Sequence, residues 1–185
     1  MRVLDKLLLL LIAYMFGCLN GAYYIGRWKS ALDIRELGST NAGARNAGRV
    51  FGHLAFIYTV LIDALKTVVP LLLAQYVWHA STYLLGGIAI AVLAGHIWPL
   101  QLQFRGGKGV VVYLASALVL APLPLVVTGL CLFIGLACRL RFTLCGLIAL
   151  AAVPVSLLAM SSWLLAGLFF IMLCVVTAMH RWVTE

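Results

Sequence analysis

Residues 83–121 read YLLGGIAIAVLAGHIWPLQLQFRGGKGVVVYLASALVLA, and the fold turns on how that stretch divides. Tyr83–Leu100 and Val110–Ala121 are apolar enough for lipid, yet between them stand Gly106, Gly107 and Gly109 with Arg105 and Lys108. A tight connection between two membrane helices needs only one or two turn residues. This one joins flexible backbone to positive charge, the pairing from which anion-binding nests are built. The stretch predicts two hydrophobic helices linked at a membrane surface by a loop that holds phosphate.

The rest of the chain agrees with a membrane setting. Hydrophobic residues make up 65% of the 185 and charged residues 10%, against about half and about a quarter in soluble domains. Mean hydropathy is +1.13. The expected fold class is all-α, a polytopic membrane protein forming a single domain over residues 1–185, with the lipid bilayer as its surroundings. A net charge of +8 on a soluble protein would suggest nucleic acid. No aromatic-basic interleaving accompanies it, so the charge reads as topology and anionic ligands, with no nucleic-acid partner. Cys18, Cys131, Cys138, Cys145 and Cys174 lack CxxC or metal spacing and read as small packing residues; neither metal nor cofactor is expected. The opening MRVLDKLLLLLIAYMFG resembles a signal peptide, but apolar character continues to Ile25 without a small-x-small cleavage site, which predicts an uncleaved first span.

A spanning helix needs roughly 17 to 25 mainly apolar residues. Breaks at glycine, proline and charge clusters give about seven candidates: Leu7–Gly26, Phe51–Trp78, Thr82–Trp98, Gly109–Ala121, Leu123–Cys138, Thr143–Met160 and Ser162–Met179. The second is long and interrupted. The fourth and fifth are short and parted by Pro122 and Pro124, so one bent passage plus a re-entrant piece, with five or six spans in all, stays open as an alternative. Seven spans put the termini on opposite sides. Arg27, Lys29, Arg35, Arg45, Arg49, Arg105, Lys108, Arg139, Arg141 and Arg181 then share one side, against Arg2 and Lys6 on the other. The positive-inside rule makes the richer side cytoplasmic, with the amino terminus outside and the carboxyl terminus within.

The polar stretches gather on that same side. KSALDIRELGSTNAGARNAGRVFG, residues 29–52, holds four glycines together with Ser39, Thr40, Asn41, Arg45, Asn46 and Arg49. Glycine lets backbone N–H groups converge, hydroxyls and amides add neutral donors, and arginine adds a fork matched to phosphate oxygens. An ordinary linker with topogenic arginines needs no such crowd of side-chain donors. In the second stretch, GGKG opens a helix, and a helix N-terminus favours anions, although the Walker spacing is absent. His96 lies about a turn before its span ends and suits a helix-end hydrogen bonder; His53 and His79 read as structural. Asp63 and Lys66, three apart within the second span, form either a mutual salt bridge or the wall of a polar cavity. Each charge costs about 2.5 to 3.5 kcal/mol near mid-bilayer, so a break in the helix there is expected. No Ser-His-Asp order is legible. The HxxxxD signature of acyl-CoA-using glycerolipid acyltransferases is missing, since Tyr58, Leu84 and Gln101 follow His53, His79 and His96 at that distance.

DIRELGSTNAGARNAGR (residues 33–49) and AGHIWPLQLQFRGGKG (94–109) resemble the DIRxxGSxNxGATNxxR and GHxFPxxxxFxGGKG motifs of the bacterial acyl-phosphate-dependent glycerol-3-phosphate acyltransferases, the PlsY family. Asp63-Ala-Leu-Lys66 is similar to the DxxK element between them. The resemblance implies a small multi-span enzyme of the bacterial inner membrane, its active site facing the cytoplasm. It would move an acyl group from acyl phosphate to the sn-1 hydroxyl of glycerol 3-phosphate without a cofactor or acyl-enzyme, giving lysophosphatidic acid and phosphate. A soluble enzyme supplying acyl phosphate is the further partner it implies. Carried over residue by residue, Lys108, Ser39, Arg49 and His180 would be catalytic. Asn41, Asn46, Asp63, Lys66, His96, Gly106, Gly107 and Gly109 would bind substrate, joined by Arg45 and Thr143 where this chain departs from the family.

Those departures are specific. Arg45 stands where the family has threonine and adds a cation to the pocket. In the third motif, RHxxNIxRL, Met179 replaces arginine, Val183 replaces asparagine, and the sequence stops at Glu185. Thr143 and Gly146 occupy a stretch that carries serine in the family, and GCLNG replaces a GSIP-like segment. Two other readings follow: a transporter or binding protein for a phosphorylated metabolite, although no internal repeat of the usual transporter kind is visible, and a catalytically inactive paralogue.

Overall fold

The computed structural model describes the backbone of residues 2–182 and the side chains of residues 2–180; Val183, Glu185 and the side chain of Arg181 lie outside the described residues. Nine α-helices follow one another among them: α1 Val3–Cys18, α2 Gly21–Ser30, α3 Ala44–Phe51, α4 His53–Tyr76, α5 Thr82–Ile97, α6 Val110–Leu120, α7 Pro122–Ala137, α8 Phe142–Ala159 and α9 Trp163–Trp182. Single 3₁₀ turns interrupt two loops, at Ile34–Glu36 and Leu100–Leu102. The all-helical membrane architecture is therefore as the sequence predicts. Val3–Ser30, His53–Tyr76, Thr82–Leu102, Phe142–Ala159 and Trp163–His180 are long and apolar enough to cross a bilayer, while α6 and α7 are shorter. At 1.5 Å per residue α6 rises about 17 Å, roughly half of a hydrocarbon core. It ends at the buried Ala121, after which Pro122 opens α7 at a position where a missing N–H costs nothing.

Three expectations need correction. The first apolar run is two helices: the chain leaves helical geometry at Leu19 and Asn20, and the Asn20 side chain caps α2 by accepting from the Tyr23 N–H at 2.9 Å. The long first loop contains a helix of its own, α3, whose alanines and Asn46 face inward while Arg45 and Arg49 face out. Most tellingly, α4 runs unbroken through Asp63 and Lys66 and even past Pro70. The helix has no need to open there, because both charges find partners sideways on other helices.

The bundle core is built mainly from α4, α5, α6, α8 and α9. Tyr113 and Phe169 meet edge to face at 5.3 Å, and the Tyr113 hydroxyl donates to the Leu150 carbonyl at 3.0 Å. Helix α1 packs on α5 through glycines: a Cβ on Gly17 would strike the Val92 carbonyl, and one on Gly95 the Tyr14 carbonyl. Such close backbone approach is how helices associate where lipid removes the hydrophobic drive. Leucines of α1 and Leu130, Phe133 and Ile134 of α7 point outward, as lipid-facing side chains do. A second, smaller cluster of Ala22, Ile25, Ile34, Ala42, Ala47 and Ala55 lies beneath the first polar loop and seats it on α2, α3 and α4.

Candidate active site

The first polar loop is held from within. Asp33 caps the 3₁₀ turn, and its carboxylate receives the Arg35 guanidinium at 2.6 Å, which holds the acid below the usual carboxylate range. Arg35 reaches onward to donate to the Leu102 carbonyl at 2.6 Å, tying the first loop to the second. Asn46, expected at the substrate, is instead buried and fully engaged. Its oxygen accepts from the Ser39 N–H at 2.9 Å, and its amide donates to the Leu37 and Ile34 carbonyls at 2.9 and 3.3 Å. This leaves the Ser39 side chain exposed and Asn41 half-buried beside Gly43.

The second loop folds back on the end of α5. After left-handed Gln103 and Phe104, the Gly106 N–H donates to the Ile97 carbonyl at 3.0 Å and the Gly107 N–H to the His96 carbonyl at 3.1 Å. A side chain on Gly107 would collide with the His96 ring and crowd the Ala42 carbonyl, so the two polar loops touch at a point only glycine can occupy. Gly109, at φ 85°, turns the chain into α6. Lys108 is thereby delivered, half-buried, to the start of that helix and its unpaired N–H groups.

Around Lys108 the positive groups converge. Burial, and then the neighbouring charge of Arg45, push its pKa below the ordinary lysine value. His180 lies within electrostatic reach of both cations. Its Nδ1 lies 2.8 Å from the Val176 carbonyl, which can only accept, so Nδ1 carries the proton and Nε2 is left with a lone pair when the ring is neutral. Arg45 is tethered to α8, donating to Thr143 Oγ1 at 3.0 Å with its guanidinium carbon 5.7 Å from the centre of the Phe142 ring. Arg49 sits one turn further along the same face of α3, without a hydrogen-bonded or ionic partner among the described residues. Asp5, Asp33 and Asp63 are all paired with cations elsewhere, and among the described residues no carboxylate acts on Lys108.

Asp63, Lys66 and His96 form a separate, sealed node. The Lys66 ammonium donates to Asp63 Oδ1 at 2.9 Å, His96 Nδ1 at 2.8 Å and the Leu19 carbonyl at 2.6 Å. Asp63 Oδ1 also accepts from the Gly21 N–H at 3.3 Å. Of the two readings the sequence left open for Asp63 and Lys66, the mutual salt bridge is the one found, with His96 as its third member. Sequence reasoning passed over two contributors. Asn20, buried in the α1–α2 break, donates to the Ala42 carbonyl at 3.0 Å; the polar Asn-Gly pair inside an apolar run was the available signal. Phe142 under Arg45 left no signal, since an aromatic beside a membrane boundary is ordinary.

Comparison with known proteins bears on the family and the fold. The family model described as glycerol-3-phosphate acyltransferase matches residues 7–184. Glycerol-3-phosphate acyltransferase 1 of Bacillus cereus (strain ATCC 10987 / NRS 248) is 36% identical, over 84% of this chain and 85% of its own. Glycerol-3-phosphate acyltransferase of Geobacter sulfurreducens is 35% identical, over 97% of this chain and 92% of its own. Crystal structures of PlsY (YgiH), an integral membrane glycerol 3-phosphate acyltransferase, superpose with TM-scores of 0.86 for the glycerol 3-phosphate form and 0.84 for the lysophosphatidic acid form. Each is 25% identical and covers 96% of this chain and 88% of the solved one. A chain matched by the family model over residues 7–184, and by relatives 36% and 35% identical over most of its length, belongs to the glycerol-3-phosphate acyltransferase family.

Proposed function

We propose that this protein transfers an acyl group from acyl phosphate to the sn-1 hydroxyl of glycerol 3-phosphate, at the cytoplasmic face of the bacterial inner membrane, as the first step of phospholipid synthesis. The observation that carries this reading is the meeting of Lys108, Arg45 and His180 near the start of α6, with no carboxylate acting on Lys108 among the described residues. Both reactants are phosphorylated and one has a long acyl tail. A cationic pocket abutting hydrophobic helices receives both head groups while the tail remains in lipid.

Acyl phosphate is already activated, so the protein has mainly to bring the hydroxyl to the carbonyl and to stabilise the charge that develops. The sn-1 oxygen attacks the acyl carbon and a new ester C–O bond forms. The bond from that carbon to the phosphate oxygen breaks, and phosphate departs with the hydroxyl proton. In this scheme Lys108 and the α6 N–H groups hold phosphate oxygens, and Arg45 and Arg49 offer forks to the second phosphate. Ser39 and Asn41 orient the glycerol, Gly106, Gly107 and Gly109 let the backbone approach it, and Thr143 steadies Arg45. In the same scheme the Nε2 lone pair of His180 accepts a hydrogen bond from the attacking hydroxyl. Asn46 acts by fixing Ser39. A soluble enzyme delivers the acyl phosphate.

The decisive experiment measures phosphate release from acyl phosphate by purified protein in the presence of glycerol 3-phosphate or of unphosphorylated glycerol. Release that requires glycerol 3-phosphate and yields lysophosphatidic acid supports the reading. Release indifferent to the acceptor, or none at all, refutes it.

A further inference from the structure

The node around Lys66 stands apart from the cationic cluster, and its chemistry is of another kind. An ammonium has three N–H donors, and those of Lys66 are all engaged inside the protein, by Asp63, His96 and Leu19. None is left for a phosphate. Because His96 Nδ1 accepts from Lys66, the ring of neutral His96 carries its proton on Nε2, and Nε2 is the atom that lies against Gly107. The main chain of His96 grips the same glycine, its carbonyl accepting from the Gly107 N–H. At the same position Gly107 also abuts the Ala42 carbonyl, held by Asn20, whose chain neighbour Leu19 gives its carbonyl to Lys66. The contacts close into a ring that passes through α4, α5, the α1–α2 break and both polar loops.

We infer that Lys66, His96 and Asp63 are positioning residues, a buried gauge that fixes the loop carrying Lys108 against the loop carrying Ser39, and that they do not themselves touch substrate. Stability alone is a poor explanation. Buried ion pairs are commonly replaceable by apolar residues without loss, and charges inside a membrane are expensive. What apolar residues cannot supply is a single point from which two loops of different helices are held at once. A displacement of about 1 Å at a binding loop can cost on the order of a hundredfold in rate, so such a reference has a use at this site.

The inference rests on the reading of Lys108 as a phosphate ligand, and its test keeps the two apart. His96→Asn retains an acceptor near Nδ1, so Lys66 stays satisfied, but withdraws the ring edge from Gly107. Lys66→Arg keeps the charge and alters the three-donor geometry, and serves if the first variant does not fold. The full chain, reconstituted in lipid, is assayed for KM and kcat and for the rate at which a lysine-directed acylating reagent modifies Lys108 and the exposed Lys29. We expect KM for glycerol 3-phosphate to rise and kcat to fall, with kcat/KM lower by about tenfold, as for a loop displaced by a fraction of an ångström. Modification of Lys108 should change severalfold and that of Lys29 not at all. An unchanged KM, an unchanged Lys108 reactivity, or an equal shift at Lys29, the sign of general loosening, overturns the inference. A Lys108→Ala enzyme with wild-type turnover overturns the phosphate reading itself, whereas a normal His96→Asn enzyme beside an inactive Lys108→Ala enzyme overturns positioning alone.

Discussion

Among the described residues no carboxylate favours the charge of Lys108, and both influences upon it, burial first and Arg45 second, work toward the neutral amine. The sign of the consequence follows. A lysine whose pKa is depressed loses its proton at a lower pH than a free one, and a neutral amine cannot neutralise phosphate. KM for glycerol 3-phosphate should therefore climb as pH rises through that depressed value, ahead of ordinary lysines. Lys108→Arg, charged at any accessible pH, should move the climb upward or remove it, which a series of KM measurements across alkaline pH will show. Lys108→Ala should abolish transfer while leaving the protein folded; wild-type turnover would exclude the residue from the reaction. Arg45 differs in that Thr143 and Phe142 hold its side chain. Arg45→Leu should raise KM for a phosphorylated reactant by about 10- to 100-fold, the value of one or two charge-assisted hydrogen bonds. Thr143→Val, which removes only the tether, should do less.

Among the elements, α3 has the most to do in the least length. Its inner face sits over the small cluster of Ala22, Ile34 and Ala42, and its Asn46 holds three backbone groups of the preceding loop. Replacing Asn46 with leucine leaves the Ser39 N–H without its partner, at about 1 to 3 kcal/mol if it stays buried, and removes one of the two donors from each of the Leu37 and Ile34 carbonyls. The expected outcome is a lower thermal midpoint together with a raised KM, read in one preparation by thermal unfolding and steady-state kinetics. The sequence foretold that residues 29–52 were polar, glycine-rich and cationic, but not that a helix lay among them, because eight residues with two glycines nearby carry no periodicity long enough to register. The same limit applies to Asp63 and Lys66. Insertion costs argued for an opened helix, and the partners that make opening unnecessary, Leu19, Gly21 and His96, come from segments 40 or so residues to one side and 30 to the other. Spacing within a segment was legible; satisfaction between segments was not. The glycines at 106 and 107 were legible as anion-loop residues, while their tighter duty, contact with His96 and Ala42, needed the packed helices.

At the scale of the whole molecule, the two ends of the bundle are chemically unlike. One end gathers the loops that bear Arg27, Lys29, Arg35, Arg45, Arg49, Arg105, Lys108, Arg139 and Arg141, linked to one another by Arg35 on Leu102 and Arg45 on Thr143. The other end has short connections, near Trp78–Ser81 and Ser161, and no cation in them. Exposed tryptophans mark both boundaries, Trp28 and Trp98 at the first and Trp78 and Trp163 at the second, as expected where amphipathic rings meet lipid head groups. The cationic end should face the cytoplasm, where glycerol 3-phosphate is dissolved and the positive-inside rule puts such loops. Sidedness can be read with a membrane-impermeant thiol reagent after the native cysteines are replaced by alanine. Ser30→Cys, at the exposed end of α2, and Ser81→Cys, at the exposed start of α5, report from opposite ends. Intact cells should label Ser81→Cys alone, and inverted membrane vesicles Ser30→Cys alone. The reverse pattern would put Lys108 and Arg45 on the side without glycerol 3-phosphate, and no arrangement of phosphate-binding groups there could serve the reaction proposed.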